Sequence, residues 1–182
     1  MLTRAPNLGD VAALDLLHAE AWQAAYTGKM PRQVLDRAVP GSRVAMWERM
    51  IRTGDAPREH TVVAEVDGEV AGFAQTGPCR VGDDGTPGGL GELYAINVKP
   101  SRWGRGVGRL LLAAAEENLR AEGFGAAILW VLPDNDRARR FYEAHGWSAD
   151  GVSREITMAA ALIPEVRYRI ALAAPEPGAA TA

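Results

Sequence analysis

Val98-Lys99-Pro100-Ser101-Arg102-Trp103-Gly104-Arg105-Gly106-Val107-Gly108-Arg109 joins a strand-like run to a helical one, with three glycines at alternate positions. Gly104, Gly106 and Gly108 remove side chains where something must approach the backbone. The turn delivers free N–H groups to the start of the next helix. Those groups, with the helix dipole, make an anion site suited to phosphate. Lys99, Arg102, Arg105 and Arg109 surround it, and no acidic residue falls between them. The chain as a whole has a formal net charge of -3, so the collar is a local basic patch on an acidic protein. A dinucleotide fingerprint would need a third glycine where Arg109 stands, and a P-loop would need Gly-Lys followed by Ser or Thr.

Upstream, Leu93 to Val98 reads as a strand ended by Lys99-Pro100. Thr61 to Val66 and Val70 to Gln75 read as a hairpin around Asp67-Gly68. The Gly/Pro/Asp-rich stretch from Pro78 to Gly91 reads as a mobile loop. Downstream, Leu110 to Leu119 predicts a helix stopped by Gly123, and Ala126 to Leu132 a buried strand. Asp134 or Asn135 caps a further helix through Phe141 and Tyr142, and Ile156 to Met158 and Val166 to Leu172 read as two more strands. At the N-terminus, Leu2 to Ala5 reads as a strand. Asp10 then caps an amphipathic helix carrying Val11, Leu14, Leu17, Ala21, Trp22 and Ala25. Shorter helical pieces follow at Pro31 and from Val44 to Ile51. The order predicts an α/β (α+β) fold with a mixed, mostly antiparallel sheet flanked by helices.

The 182 residues are 47% hydrophobic, enough for one core and too short a chain for two of normal size. A single domain over 1–172 with a disordered tail at 173–182 is the expected organisation. Cys79 is the one cysteine, so an internal disulfide and a cysteine-held zinc are both excluded. His18, His60 and His145 are far apart, and no metal is expected. The acidic balance argues against nucleic acid. No apolar run approaches a membrane span and no signal pattern opens the chain, so a cytoplasmic location without membrane association is expected.

The glycine-rich segment resembles motif A of the GNAT acetyltransferases, Q/R-x-x-G-x-G/A, through Gly106 and Gly108; Trp103 stands where that motif has Gln or Arg. Asn135 to Trp147 is similar to motif B, N-x6-Y followed by a turn and an aromatic. The run around Trp22, Tyr26, Gly28 and Pro31 is similar to the acceptor-side helices of the family. The resemblance extends from Leu2 to about Leu172. It implies the GNAT fold, with six to seven strands and about four helices, and acetyl-CoA as co-substrate. It implies an N-acetyltransferase in which a primary amine attacks the thioester directly in a ternary complex. The amine could be a small amine, an antibiotic, a polyamine, a peptide N-terminus or a lysine, and a homodimer would fit the family. The fold could equally hold acyl-CoA as a non-catalytic sensor.

The resemblance also implies site residues. Pantetheine would lie between Leu93 to Val98 and Ala126 to Leu132, bonded by backbone groups of Ile96, Asn97 and Val98. The pyrophosphate would sit on the N–H groups of Arg105, Gly106, Val107, Gly108 and Arg109, and the Val98 N–H would polarise the acetyl carbonyl. Asn135 would touch the cofactor arm, or serve as a helix cap. Tyr142 lies seven residues on, two helical turns along the same face. It would protonate the departing thiolate, or be a core aromatic. Glu92 would serve as general base through water, or be a solvated strand-edge acid. His18, Glu20 and Tyr26 are weaker candidates for the base. The acceptor would enter between Trp22 to Met30, Arg80 to Gly89, and Ala159 to Pro164.

Overall fold

The computed structural model describes residues 1–81, 85–86 and 88–172. The expected tail at 173–182, and part of the expected mobile loop, lie outside the described residues. Asn7, three residues before the expected cap, opens the N-terminal helical segment. Its side chain accepts from the Gly9 N–H while the Asp10 carboxylate accepts from the Asn7 N–H, both at 2.8 Å. This reciprocal capping box starts a 3-10 turn over Leu8–Asp10, and helix α1 (Val11–Tyr26) continues from it. Asp10 is thus spent on the turn and on Arg4 of strand β1 (Leu2–Arg4), which reaches it at 2.7 and 2.9 Å.

Helices α2 (Arg32–Leu35) and α3 (Val44–Thr53) follow. Asp15 of α1 holds the approach to α3 by accepting from the Gly41 and Arg43 N–H groups. Strands β2 (His60–Val66) and β3 (Glu69–Pro78) form the expected hairpin, with Asp67 and Gly68 at φ 55° and 81°. Then come β4 (Leu90–Val98), α4 (Val107–Ala121), β5 (Ala126–Val131), α5 (Asp136–Glu143), β6 (Ser148–Met158) and β7 (Ala161–Ala171). The seven strands lie in the order β1-β2-β3-β4-β5-β7-β6, and every neighbouring pair except β4–β5 is antiparallel.

Three boundaries differ from the sequence reading. Strand β4 begins at Leu90, so Glu92 lies inside it. Helix α4 begins at Val107, directly after Gly106, because glycine in the left-handed region can end the loop and start the helix at once. The last two strands are 11 residues each, joined by Ala159 and Ala160, so no loop runs to Pro164. Pro164 is tolerated in β7 because pairing with β5 stops at Val131↔Val166, leaving β7 open on that side. The mostly exposed edge strand β6 is polar and lacks the apolar alternation that would have revealed it.

One face of the sheet is covered by α4, whose Leu111, Leu112, Ala115 and Leu119 pack with Leu93, Ala127, Leu129 and Trp147. Gly72 permits this approach: a Cβ there would stand 2.7 Å from both the Asn97 carbonyl and Leu111 Cδ1. On the other face, Leu14 and Leu17 of α1 pack with Trp47, Val63 and Phe73.

His18 is buried in this second core, stacked on Trp22 and Phe73, with no hydrogen-bond partner for either ring nitrogen among the described residues. Burial, helped by the charge of Arg43, pushes its pKa down from 6.5 to about 4. The unfolded chain therefore binds this proton first as pH falls. Stability should be complete above the ordinary histidine pKa and decline as pH drops from 6.5 towards 4, by up to about 3 kcal/mol. Denaturant unfolding of His18→Leu across that window should lose most of this slope, and an unchanged slope would exclude His18 as its source.

Candidate active site

The parallel pair β4–β5 begins as a normal ladder, Leu90↔Ala126 to Glu92↔Ile128, and then stops. Just past that point β4 carries a bulge against β3. Gln75 faces Ala95 and Thr76 faces Leu93, which leaves Tyr94 unopposed. A bulge bends its strand and increases the local twist, here swinging β4 away from β5. A wedge opens between the C-terminal halves of the two strands.

Strand alternation decides what faces the wedge. The Lys99 N–H donates to the Ala71 carbonyl of β3 at 2.9 Å, so Lys99 and Asn97 turn their backbone groups towards β3, and Ile96 and Val98 turn theirs into the wedge. Of the three backbone contacts expected, those of Ile96 and Val98 are geometrically available. The Asn97 backbone is not, because it belongs to the β3 ladder. The Val98 carbonyl is already occupied by the Trp103 indole N–H at 2.8 Å, which leaves the Val98 N–H.

At its mouth the wedge meets α4. Gly106 precedes the helix at φ 85°, and a Cβ on Gly108 would touch the Phe141 ring at 3.4 Å. Among the described residues, no carbonyl or capping side chain accepts from the N–H groups of Val107, Gly108 or Arg109. Wedge and mouth form one cavity of about 430 Å³. Ile96, Asn97, Val98, Gly106, Gly108, Arg109, Asn135 and Tyr142 all line it. Val107 instead turns its side chain into the core, and Arg105 is exposed outside the lining.

Asn135 is buried and accepts from the Ala138 N–H at 3.4 Å, a long cap, while also lining the cavity. Asp134, the alternative cap, is exposed and does not serve. Tyr142 is buried at the cavity wall, and its hydroxyl has no hydrogen-bond partner among the described residues. Burial, reinforced by neighbouring Tyr26, raises its pKa above the ordinary tyrosine value, so it is protonated at neutral pH.

Glu92 is placed differently from the sequence expectation. It is 1% exposed, does not line the cavity, and is neither solvated nor at a strand edge. The Arg80 N–H donates to one oxygen at 2.9 Å, and the Arg80 guanidinium donates to the other at 2.5 and 3.1 Å. A carboxylate so engaged is a pin at the point where β4 and β5 part. His18 and Glu20 also stay out of the lining, whereas Tyr26 joins it. Trp22, Tyr26 and Met30 pack with Val34, Leu132 and Ile163, and Gln33 Nε2 donates to the Ala159 carbonyl, so helices α1 and α2 touch the β6–β7 turn.

The sequence reading did not assign Ala21, Ala24 and Ala25 to the site, although they form the α1 wall of the cavity. The signal was present: Ala21, Ala24 and Ala25 fall within five residues at the C-terminal end of α1, where small side chains leave room for something beside the helix. Trp130 and Arg137, also in the lining, had no such signal.

Residues 18–147 match the profile of the acetyltransferase (GNAT) family. The chain belongs to the GNAT family. An uncharacterized N-acetyltransferase, YuaI of Bacillus subtilis, is 30% identical over 142 residues, covering 78% of this chain and 77% of that protein. A mycothiol acetyltransferase of Frankia alni is 43% identical over 84 residues, covering 44% of this chain but 25% of that protein. This GNAT chain thus spans about a quarter of the length of the mycothiol acetyltransferase it matches. Among solved structures, the PaiA N-acetyltransferase of Thermoplasma acidophilum, in complex with coenzyme A, superposes with a TM-score of 0.69 at 17% identity, covering 93% of this chain and 97% of that one. That likeness establishes the GNAT fold.

Replacing Glu92 by Gln would leave Arg80 facing a neutral amide at the base of the wedge. Arg80 is about half exposed, so we expect a loss near 1–2 kcal/mol, below that of a fully buried pair. Urea unfolding measures it. A normal midpoint for Glu92→Gln would remove the pinning role.

Proposed function

We propose that this chain is an N-acetyltransferase that takes its acetyl group from acetyl-CoA and passes it directly to a primary amine. The observation that carries this reading is the wedge itself. A gap between two parallel strands exposes the Ile96 backbone and the Val98 N–H. It ends on the unpartnered N–H groups of Val107, Gly108 and Arg109 at the start of α4. A long chain with amide groups along it and phosphates at one end fits that sequence of donors and acceptors.

The residues present suit the chemistry. The Val98 N–H points where a thioester carbonyl would gain negative charge. The neutral amine nitrogen attacks the carbonyl carbon, the C–S bond breaks, and the Tyr142 O–H gives its proton to the departing sulfur. The nitrogen releases one proton to water, which restores Tyr142. Burial keeps Tyr142 protonated until that step. Glu92 takes no part in proton transfer, because Arg80 engages both its oxygens. Ala21, Ala24 and Ala25 leave room along α1 for the substrate arm.

Acetyl-CoA should raise the thermal midpoint, since a ligand at 100 times its dissociation constant adds about 2.7 kcal/mol. Gly106→Val should abolish that rise, because a β-branched residue is strained at φ 85° and would distort the turn that presents the N–H groups of α4. No rise with the unmodified chain would overturn the reading. In a thiol-release assay over a panel of primary amines, Tyr142→Phe should lower kcat by about 10²–10⁴ with little change in the midpoint shift. Undiminished turnover would remove Tyr142 from the scheme.

A further inference from the structure

Position 103 is where this chain departs from its family's motif, and the structure shows what stands there instead. The Arg137 guanidinium, from the first turn of α5, lies over the Trp103 ring with Cζ 3.3 Å from the ring centroid. At that separation the guanidinium cannot stand on edge, because its nitrogens would enter the ring. It lies flat, and its N–H groups, which share its plane, point sideways past the indole. The stack fixes the cation without consuming its donors. Arg137 makes no hydrogen bond or ion pair with any described residue, and Asp134 and Asp136 beside it are not engaged with it. The platform is itself anchored, since the Trp103 indole N–H donates to the Val98 carbonyl at the end of β4.

Trp103 and Arg137 come from different elements, one from the loop before α4 and the other from the start of α5, and both line the cavity with Gly106, Gly108 and Arg109. We propose that Trp103 and Arg137 act as one phosphate-recognising unit, in which the indole positions the guanidinium and the guanidinium donates to a phosphate of the coenzyme. The side-chain donor that the motif carries at position 103 is supplied here from α5. A planar fork with free donors suits a phosphate oxygen pair, and a flat aromatic neighbour removes the rotamer freedom that binding would otherwise cost. Trp103 is then a positioning residue, and Arg137 the ligand.

This inference rests on the coenzyme reading above, and one binding experiment separates the two. Calorimetric titration of coenzyme A into the unmodified chain comes first, and absence of binding there defeats the coenzyme reading itself. Given binding, Arg137→Gln should weaken it ten- to a hundredfold, with the thermal midpoint of the ligand-free protein unchanged. Trp103→Leu should weaken it about tenfold, while Trp103→Phe, which keeps an aromatic face, should stay within about threefold. In the Arg137→Gln background, Trp103→Leu should add less than about twofold, because its effect passes through Arg137. Dephospho-coenzyme A identifies the phosphate: a penalty that persists assigns the pyrophosphate, and one that vanishes assigns the 3′-phosphate. Normal coenzyme A binding by Arg137→Gln, an equal penalty towards pantetheine, or full additivity of the two substitutions would overturn the proposal.

Discussion

Everything at the site depends on one interrupted interaction, the ladder between β4 and β5. Three register pairs hold the strands together, and then the ladder is abandoned. Unpaired backbone groups inside a protein cost about 1–3 kcal/mol each unless water or a ligand satisfies them, so a sheet does not part without cause. The cause is distributed. The Tyr94 bulge turns β4, and β5 cannot follow because six register pairs bind it to β7. Glu92 and Arg80 lock the last common point. The gap is therefore built into the pairing of the sheet itself, and it leaves the Ile96 and Val98 backbone groups turned away from the β3 ladder.

The mouth of the gap applies the same economy to charge. An acidic chain places Arg102, Arg109 and Arg137 around one cavity, with no carboxylate in the lining among the described residues. Arg102 has a 3.5 Å contact to the exposed carboxylate of Asp67, a pairing that salt and solvent weaken. Elsewhere arginines are closely matched, as in Arg4 with Asp10, Arg154 with Glu165 and Arg167 with Asp150, each at 2.7 Å. Cations left without close partners around a helix N-terminus create a local positive field that the protein does not neutralise internally.

Much of this was legible in the sequence. The glycine turn, the Asn135–Tyr142 spacing and the Asp67-Gly68 hairpin are local signals, and each fell where it was read. What escaped was set by tertiary partners. Glu92 looked like a free acid because Arg80 meets it only through folding of an irregular segment rich in glycine and proline. The extent of β6 was hidden because an exposed edge strand need not alternate. The Asn97 backbone lies in the β3 ladder because backbone groups alternate along a strand, so three consecutive residues cannot all turn theirs to the same side.

The Trp103 departure shows why motif and structure must be read together. Taken alone, Trp for Gln or Arg removes a polar side chain from a phosphate loop. In the fold the indole does two things that glutamine cannot do together. Its N–H satisfies a Val98 carbonyl that would otherwise face the wedge unpaired, and its face supports Arg137. The first ties the loop to the end of β4, and the second ties it to α5. One aromatic ring thereby connects the strand that opens the gap, the loop that closes its mouth and the helix that carries Tyr142. The amide-lined wedge and the cationic mouth therefore meet at the same ring.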